Sequence, residues 1–361
     1  MEPAISQPVE MESYFPPSES DVGWRWIASD EEAREVAGFD APSLDVHFRL
    51  HDLVYGGSAW SVVIVRHGWL VREYSTFNVA SSTRFDLWSS TKSFTAAAWG
   101  HLLGGHSGGV TMDTPAYELI PEGRPLSDPR KSDITVRHLL SMTSGIPGEE
   151  SGVYGMANAT TNGVYEFALG HAPNRYGQWA AELVAEPGTR WEYSDAAYAH
   201  LSLAFAAVTG QEIAEYFSER VLNPIGVRNV AWDLQGGSGF LGPHTNPHTG
   251  LHLSARDFAR FGYLALHDGV WAGERLLPEG WVRMATTPSQ DENPSYGYGW
   301  WTNAAGSYQP GLTKDLFAFS GFAGNRCFVI PSLDLVVARV GTGPALLHDK
   351  TLLDGIVRAL V

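Results

Sequence analysis

Ser89 and Lys92, three residues apart, are the pair of side chains in this sequence best suited to covalent catalysis. Residues at this spacing share one face of a helix, so the two side chains can meet. A serine hydroxyl is a good nucleophile only when a neighbouring base takes its proton. Lysine can be that base when burial or a second cation lowers its pKa toward neutrality. The alanine-rich stretch Ala96–Trp99 predicts a tightly packed helix that would provide this burial, with the free Ser89 amide at its start ready to stabilise an oxyanion.

A second candidate group is Tyr193, which we expect on a loop before a helix that starts near Tyr198. A tyrosine beside a lysine ammonium can lose its proton below the usual pKa of about 10, and can then act as base and later as acid. The alternative interpretation is a packed aromatic side chain that caps the helix.

A third candidate element is Phe319–Gly324. Small side chains at Ser320 and Gly321 would let a strand edge approach a substrate closely. The amide of Phe322 is then a candidate second donor to an oxyanion. The alternative is a simple glycine-rich turn between two strands.

The order of the three motifs, S-x-x-K, then Y-x-[N/S/D], then x-[S/T]-G, resembles that of the penicillin-recognising serine hydrolases. The pattern is most similar to the class C β-lactamase branch, which also holds D-aminopeptidase-like enzymes, family VIII carboxylesterases and aminohexanoate-oligomer hydrolases. The likeness covers roughly residues 45–345 and includes the non-catalytic stretches Ile134–Gly145 and Ser254–Gly262. The resemblance implies an acylated nucleophile, its partner, a general base and acid, and two oxyanion amides: Ser89, Lys92, Tyr193, and the N–H groups of Ser89 and Phe322.

Two positions depart from the pattern of that family. Its β-lactamases and peptidases usually carry Lys or His where this sequence has Phe319, so the resemblance implies a more apolar site here. We expect Phe319, Ser320, Gly321 and Asp195 to contact the substrate, and a penicillin is not the expected physiological substrate. Asp195 stands where class C enzymes have Asn, and it would either favour a charged Lys92 ammonium or bind a substrate amine.

The organisation of the chain fits this picture. Residues 58–75 predict a hairpin that turns at His67 and Gly68, and residues 328–341 predict a second hairpin. Helical periodicity dominates the chain between them and returns over 345–361. We therefore predict an α+β, β-lactamase-like fold, with an antiparallel sheet flanked by helices plus an inserted all-helical domain. The predicted division is a flexible acidic tail (1–22), a sheet domain (23–86 and 250–361) and a mainly helical domain (87–249).

Composition excludes several classes of function. The net charge of −16 over 361 residues repels nucleic acid and anionic lipid, so neither is an expected partner. No run of eighteen apolar residues and no signal-peptide pattern occurs, which favours a cytoplasmic protein. His244 and His248 are interrupted by Pro247 and lack a matching carboxylate pattern, so we predict no metal. No phosphate-binding glycine loop occurs, so we predict no cofactor.

One decoy needs separate mention. Gly105–Gly109 matches the G-x-S-x-G nucleophile elbow, but a predicted helix precedes it where that motif requires a strand. Ser89 is therefore the predicted nucleophile. The expected activity is hydrolysis of a small ester or amide through an acyl-enzyme. β-Lactamase, D-aminopeptidase or D,D-peptidase activity is the first alternative. A catalytically silent binding or sensor domain is the second, although the presence of all three reactive side chains argues against it.

Overall fold

The computed structural model describes residues 14–55, 57–76, 78–106, 108–153, 163–236, 239–342 and 348–361. The α-helices within these ranges are α1 (Asp30–Ala37), α2 (Ala41–Tyr55), α3 (Thr91–Leu103), α4 (Val136–Leu140), α5 (Val164–Ala168), α6 (Asp195–Thr209), α7 (Ile213–Phe217), α8 (Ala255–Leu266), α9 (Trp281–Ala285) and α10 (His348–Arg358). None of these described helices is long and apolar enough to cross a membrane.

The strands are β1 (Trp60–Arg66), β2 (Trp69–Ser75), β3 (Phe85–Asp86), β4 (Ala231–Trp232), β5 (Leu234–Gln235), β6 (His244–Thr245), β7 (Leu251–Leu253), β8 (Val270–Trp271), β9 (Glu274–Arg275), β10 (Trp301–Thr302), β11 (Phe317–Ser320), β12 (Arg326–Ile330) and β13 (Leu335–Gly341). The largest sheet has the order β10-β11-β12-β13-β1-β2 and all of its pairs are antiparallel. Strands from the two ends of the sequence therefore pair at its centre.

Both predicted hairpins are confirmed. β1 and β2 turn at His67 and Gly68, whose φ angles of 52° and 71° suit a two-residue turn that follows the twist of the strands. β12 and β13 turn around Asp334, which also has a positive φ of 47°. Because side chains alternate across a strand, the paired Ile64 and Val337 face one core and the neighbouring pair faces the other.

Helices cover both faces of the sheet. α1, α2 and α10 pack on one face, and α8 packs on the other, against β1, β12 and β13. A Cβ at Gly262 of α8 would lie 2.5 Å from the Cys327 sulfur, so this helix approaches the sheet as closely as a glycine allows. The fold class is therefore the predicted α+β arrangement of an antiparallel sheet flanked by helices.

The middle of the chain carries α3 to α7, of which α6 and α7 contact α3, while α4 and α5 contact α6. Nearly every side chain of α3 is buried, including Lys92, Phe94 and Trp99, because α6, α7 and α8 surround it. This segment also contains the two-residue strands β4, β5 and β6, so the inserted part is not purely helical. The domain limits at residues 87 and 249 stay a prediction.

The predicted loose tail over residues 1–22 is wrong for its described part, residues 14–22. The Phe15 ring lies 5.2 Å from the ring of Trp271, and the buried Arg260 donates a 2.9 Å hydrogen bond to the carbonyl of Pro16. Arg260 also forms an ion pair with Glu19. Acidic and proline-rich composition suggested disorder, but one buried arginine of α8 holds this segment against the sheet domain. Residues 1–13 lie outside the described residues.

Candidate active site

Ser89 lies on a single 3-10 turn, Trp88–Ser90, between β3 and α3. We expected it at the start of the helix, and α3 in fact begins two residues later, at Thr91. Asp86 shapes the turn, because its side chain accepts a 2.8 Å hydrogen bond from the Trp88 amide. Trp88 has a φ of 50°, a left-handed conformation that is strained for a bulky side chain. The nucleophile candidate therefore follows a strained residue.

Lys92 lies directly below Ser89. Its ammonium donates to the Ser89 hydroxyl at 2.9 Å and to the main-chain oxygen of His248 at 3.3 Å, and it lies 2.7 Å from an Asp195 carboxylate oxygen. Only 2% of the Lys92 side chain is exposed. A charged ammonium, with three N–H donors and no acceptor, suits polar neighbours of this kind.

The charge state of Lys92 differs from the expectation. Burial alone lowers the pKa of this lysine, but the Asp195 carboxylate and Tyr193 together outweigh burial and raise the pKa above its ordinary value. A lysine with a pKa near neutrality is therefore not what the site contains, and of the two roles left open for Asp195 the structure shows the one that favours a charged ammonium. In the resting site Lys92 is a cation that donates to Ser89.

Tyr193 completes the group. Its hydroxyl forms hydrogen bonds with Ser89 and Lys92, and its ring centre lies 4.8 Å from the Lys92 nitrogen. Burial raises the pKa of Tyr193, Lys92 lowers it, and Asp195 raises it again, so the net pKa lies above the ordinary value. The expectation of a lowered tyrosine pKa is wrong chiefly because burial of the phenol outweighs the charge of Lys92, and Asp195 adds to the rise.

Asp195 is the first residue of α6, and Ser194 caps that helix by accepting a hydrogen bond from the Ala197 amide. The helix begins three residues earlier than predicted, which places the carboxylate at its N-terminus, where the helix dipole favours a negative charge. Burial raises the pKa of Asp195, but the interactions with Lys92 and His248 outweigh that effect, so the pKa lies below its ordinary value. The two roles that the sequence left open are thus distinguished: Asp195 faces Lys92 and is not placed as a free substrate contact.

Phe319 is not a substrate contact. Its side chain is fully buried, with its ring 4.9 Å from that of Phe261 and 4.7 Å from that of Trp300. The predicted contact is wrong because strand alternation turns this side chain into the core between the sheet and α8. The third motif therefore contributes Ser320, which is half-buried, and the main chain that follows it.

Gly321 brings the third motif against the nucleophile turn. A Cβ at this position would lie 2.0 Å from the Leu87 oxygen and 2.9 Å from the Ser90 amide, so only glycine fits. Ser90 in turn donates a 3.1 Å hydrogen bond to the main-chain oxygen of Asn325. These contacts join the Ser89 turn to the Phe322 turn.

The two predicted oxyanion amides lie on these joined turns. In the described part of the chain, no hydrogen bond uses the amide of Ser89 or that of Phe322. The Phe322 turn is fixed from below by Arg339, whose guanidinium donates to the main-chain oxygens of Ala323 at 2.9 Å and Gly324 at 2.8 Å. Two free amides on a rigid support are suited to binding a developing oxyanion.

Two charged or polar residues of the site were missed by sequence reasoning. His248 was examined only as a zinc ligand, yet it is fully buried and its Nδ1 lies 3.6 Å from Asp195. Arg326 pairs with Ser320 across the ladder of β11 and β12, and its guanidinium contacts Asp349 at 2.8 Å. Arg326 thus places a cation beside the third motif, on the neighbouring strand and not at Phe319. No group of three or more metal-binding side chains occurs among the described residues.

Comparison with known proteins agrees with this geometry. The Beta-lactamase family profile matches residues 55–359. Protein flp of Staphylococcus aureus (strain MW2) is 23% identical over 283 residues, which are 70% of this chain and 54% of that protein. Unguisins hydrolase ungD of Aspergillus violaceofuscus is 28% identical over 228 residues, which are 62% of this chain and 32% of that protein. This chain therefore spans about half or less of the length of these curated relatives.

Solved structures share the fold. A candidate 6-aminohexanoate-dimer hydrolase of Bacillus anthracis superposes with a TM-score of 0.67 at 20% identity, covering 86% of this chain and 80% of that one. The match of the family profile to most of the chain, together with this fold, shows that the chain belongs to the beta-lactamase family, within the superfamily of serine β-lactamases and penicillin-binding proteins.

Proposed function

We propose that this protein hydrolyses small esters or short amides through an acyl-enzyme on Ser89. The observation that carries the proposal is the 2.9 Å contact between the Lys92 ammonium and the Ser89 hydroxyl, with the Tyr193 hydroxyl bonded to both. The site thus brings together a nucleophile, a buried cation and a side chain that can carry a proton: Ser89, Lys92 and Tyr193. The relatives named hydrolases support the reaction class.

In the proposed reaction Tyr193 first releases its proton to solvent water, and the Lys92 ammonium stabilises the resulting phenolate. Tyr193 takes the Ser89 proton as the serine oxygen bonds to the carbonyl carbon. The bond to the leaving oxygen or nitrogen then breaks, and Tyr193 returns the proton to that atom. Water attacks the acyl-enzyme next and gives one proton to Tyr193, which passes it to Ser89 as the acid leaves.

The amides of Ser89 and Phe322 are the proposed oxyanion donors. Each removed donor of this kind costs about 10²–10³-fold in rate in serine hydrolases. The side chains that flank these amides, Trp88 and Phe322, are 38% and 65% exposed, and their rings meet edge to face at 5.3 Å. Because these exposed rings are apolar, we expect the preferred substrates to carry an apolar acyl group.

The decisive experiment is intact-mass spectrometry after reaction with a fluorophosphonate probe. We expect one adduct on the native protein and none on Ser89→Ala. Ser107→Ala, which removes the serine of the G-x-S-x-G decoy, is the matched control and should label fully. Labelling that survives in Ser89→Ala, or a native protein that never labels, would overturn the proposal; the second outcome would favour a silent binding domain.

A substrate panel then tests the finer assignment. We expect turnover of nitrophenyl esters with apolar acyl groups or of an aminohexanoate dimer, and slow turnover of a chromogenic cephalosporin, because the cation beside the third motif, Arg326, is already paired with Asp349. Fast cephalosporin turnover with negligible ester cleavage would contradict the ester and amide assignment. A small-molecule substrate without nucleic-acid or membrane partners, and a cytoplasmic location, stay predictions from composition.

A further inference from the structure

His248 lies against the back of the Lys92–Asp195 pair. Its ring is completely buried, with Nδ1 3.6 Å from the Asp195 oxygen that faces Lys92 and Nε2 3.0 Å from the Gln235 side-chain nitrogen. Its own main-chain oxygen accepts a hydrogen bond from Lys92. This histidine therefore contacts both charged partners of the nucleophile, although none of its atoms contacts Ser89.

The contacts with Gln235 and Asp195 indicate where the imidazole carries its proton. As the Gln235 amide is oriented in the structure, its nitrogen donates to His248 Nε2, which places the ring proton on Nδ1. The negative Asp195 carboxylate, 3.6 Å from Nδ1, favours the same tautomer. At that distance the Nδ1–H acts as an oriented dipole close to a charge and not as a full hydrogen bond.

The loop that carries His248 is firmly held. Thr95 of α3 donates a 2.8 Å hydrogen bond to the Pro247 oxygen, and the Trp232 indole donates at 2.7 Å to the Asn246 oxygen. Asn246 in turn accepts from the His248 amide at 3.2 Å. The histidine ring therefore has a fixed position relative to the helix that bears Lys92.

We propose that His248, oriented by Gln235, is a positioning residue that directs its Nδ1–H at Asp195 and thereby keeps the carboxylate on Lys92. This inference rests on the proposed function, because Lys92 governs the reaction only if Ser89 is the nucleophile. Without the imidazole, the carboxylate, which is 17% exposed, can turn toward water. Lys92 would then be less neutralised, and the phenolate of Tyr193 would form at lower pH.

Besides His248, other titratable side chains face Asp195, and the experiment must separate the effect of the histidine from theirs. They come from different elements and are Lys92, Tyr193, Glu149 and Tyr296. Burial lowers the pKa of His248 to about 4, so the ring is neutral at working pH and contributes a dipole without a charge. A change at His248 therefore alters the orientation of Asp195 without removing a cation.

The test is a double-mutant cycle read out as pH profiles of kcat/KM on a nitrophenyl ester between pH 6 and 10.5. We expect His248→Ala to lower kcat about tenfold through misplacement of the charged groups, and to shift the profile to lower pH. His248→Asn keeps an N–H near the position of Nδ1, so it should restore most of the kcat and most of the native pH profile. In an Asp195→Asn background, adding His248→Ala should change neither quantity by more than about twofold, because coupled residues are not additive.

The outcomes distinguish failure of the proposed function from failure of the role proposed for His248. If the native protein does not label with fluorophosphonate at Ser89, the proposed function fails before the cycle is read. If all variants label and unfold like the native protein, yet His248→Ala leaves the pH profile unmoved or acts with full effect in the Asp195→Asn background, only the role of His248 is overturned. A shift that is rescued by Asn and absent without Asp195 supports it.

Discussion

The Asp195 carboxylate lies 2.7 Å from the Lys92 ammonium, inside a site where the same ammonium donates to Ser89. This buried ion pair gives the side chains of the site different roles. Lys92 holds its proton and supplies positive charge, so the transferable proton belongs to Ser89 and Tyr193. A carboxylate at this position therefore moves the reactive ionisation state to higher pH.

Asp195→Asn tests this relationship directly. Removing the negative charge lowers the pKa of both Tyr193 and Lys92, because Asp195 raises both in the native site. Tyr193 therefore reaches its phenolate form at lower pH, and the rising limb of the kcat/KM profile should move to lower pH. An unmoved or upward-shifted limb would show that Asp195 does not control the base.

Gly321→Ala should separate stability from catalysis. The added Cβ meets the Leu87 oxygen and the Ser90 amide, so the Phe322 turn must move away from Ser89. We expect kcat to fall about 10²-fold, the effect of losing one oxyanion donor. Gly57→Ala is the matched control, since a Cβ there meets nothing within 4 Å. Equal activity of the two variants would remove Phe322 from the oxyanion site.

Phe319→Leu should behave as a core substitution. The ring is fully buried among aromatic side chains, so shortening it leaves a cavity and costs about 1–3 kcal/mol of unfolding free energy. KM for a nitrophenyl ester should stay within about twofold, because the side chain does not reach the substrate. Urea unfolding and steady-state kinetics check the two parts, and a large KM change without a stability loss would restore Phe319 as a substrate contact.

Phe322→Ala should show the opposite pattern. The ring is largely exposed, so stability should change by less than about 0.5 kcal/mol. The main-chain amide remains, but the apolar contact for the acyl group is lost. We expect kcat/KM to fall about tenfold for a hexanoate ester and about twofold for an acetate ester, since a hydrophobic pocket discriminates by about 10–200-fold per group. An equal effect on both esters would place the acyl chain elsewhere.

The sequence was sufficient for the features that depend on local chemistry. The turn at His67 and Gly68 and the spacing of Ser89 and Lys92 are local, and both predictions match the structure. The pairing of Asp195 with Lys92 joins two helices over about a hundred residues, so the sequence left it open beside a contact with a substrate amine. The burial of Phe319 depends on which face of β11 meets α8, which alternation alone does not decide.

His248 shows the same limit from the other side. From the sequence it was considered only as a metal ligand, a role that was rejected, because its contact with Gln235 of β5, 13 residues earlier, arises only in the folded chain. The family resemblance predicted the fold and the family correctly. It marked Asp195 as a departure from the family pattern, but it did not show that His248 lies behind this carboxylate.

Arg339 of β13 fixes the turn that carries the Phe322 amide from the neighbouring strand, 16 residues away along the chain. The Ser89 turn joins that turn through the hydrogen bond of Ser90 to Asn325, 235 residues away along the chain. The two oxyanion amides therefore come together only after distant parts of the sequence have met, a slow long-range event in folding. Catalytic activity should therefore appear late in folding. A chain whose central sheet is unpaired can contain every motif and still have no formed active site.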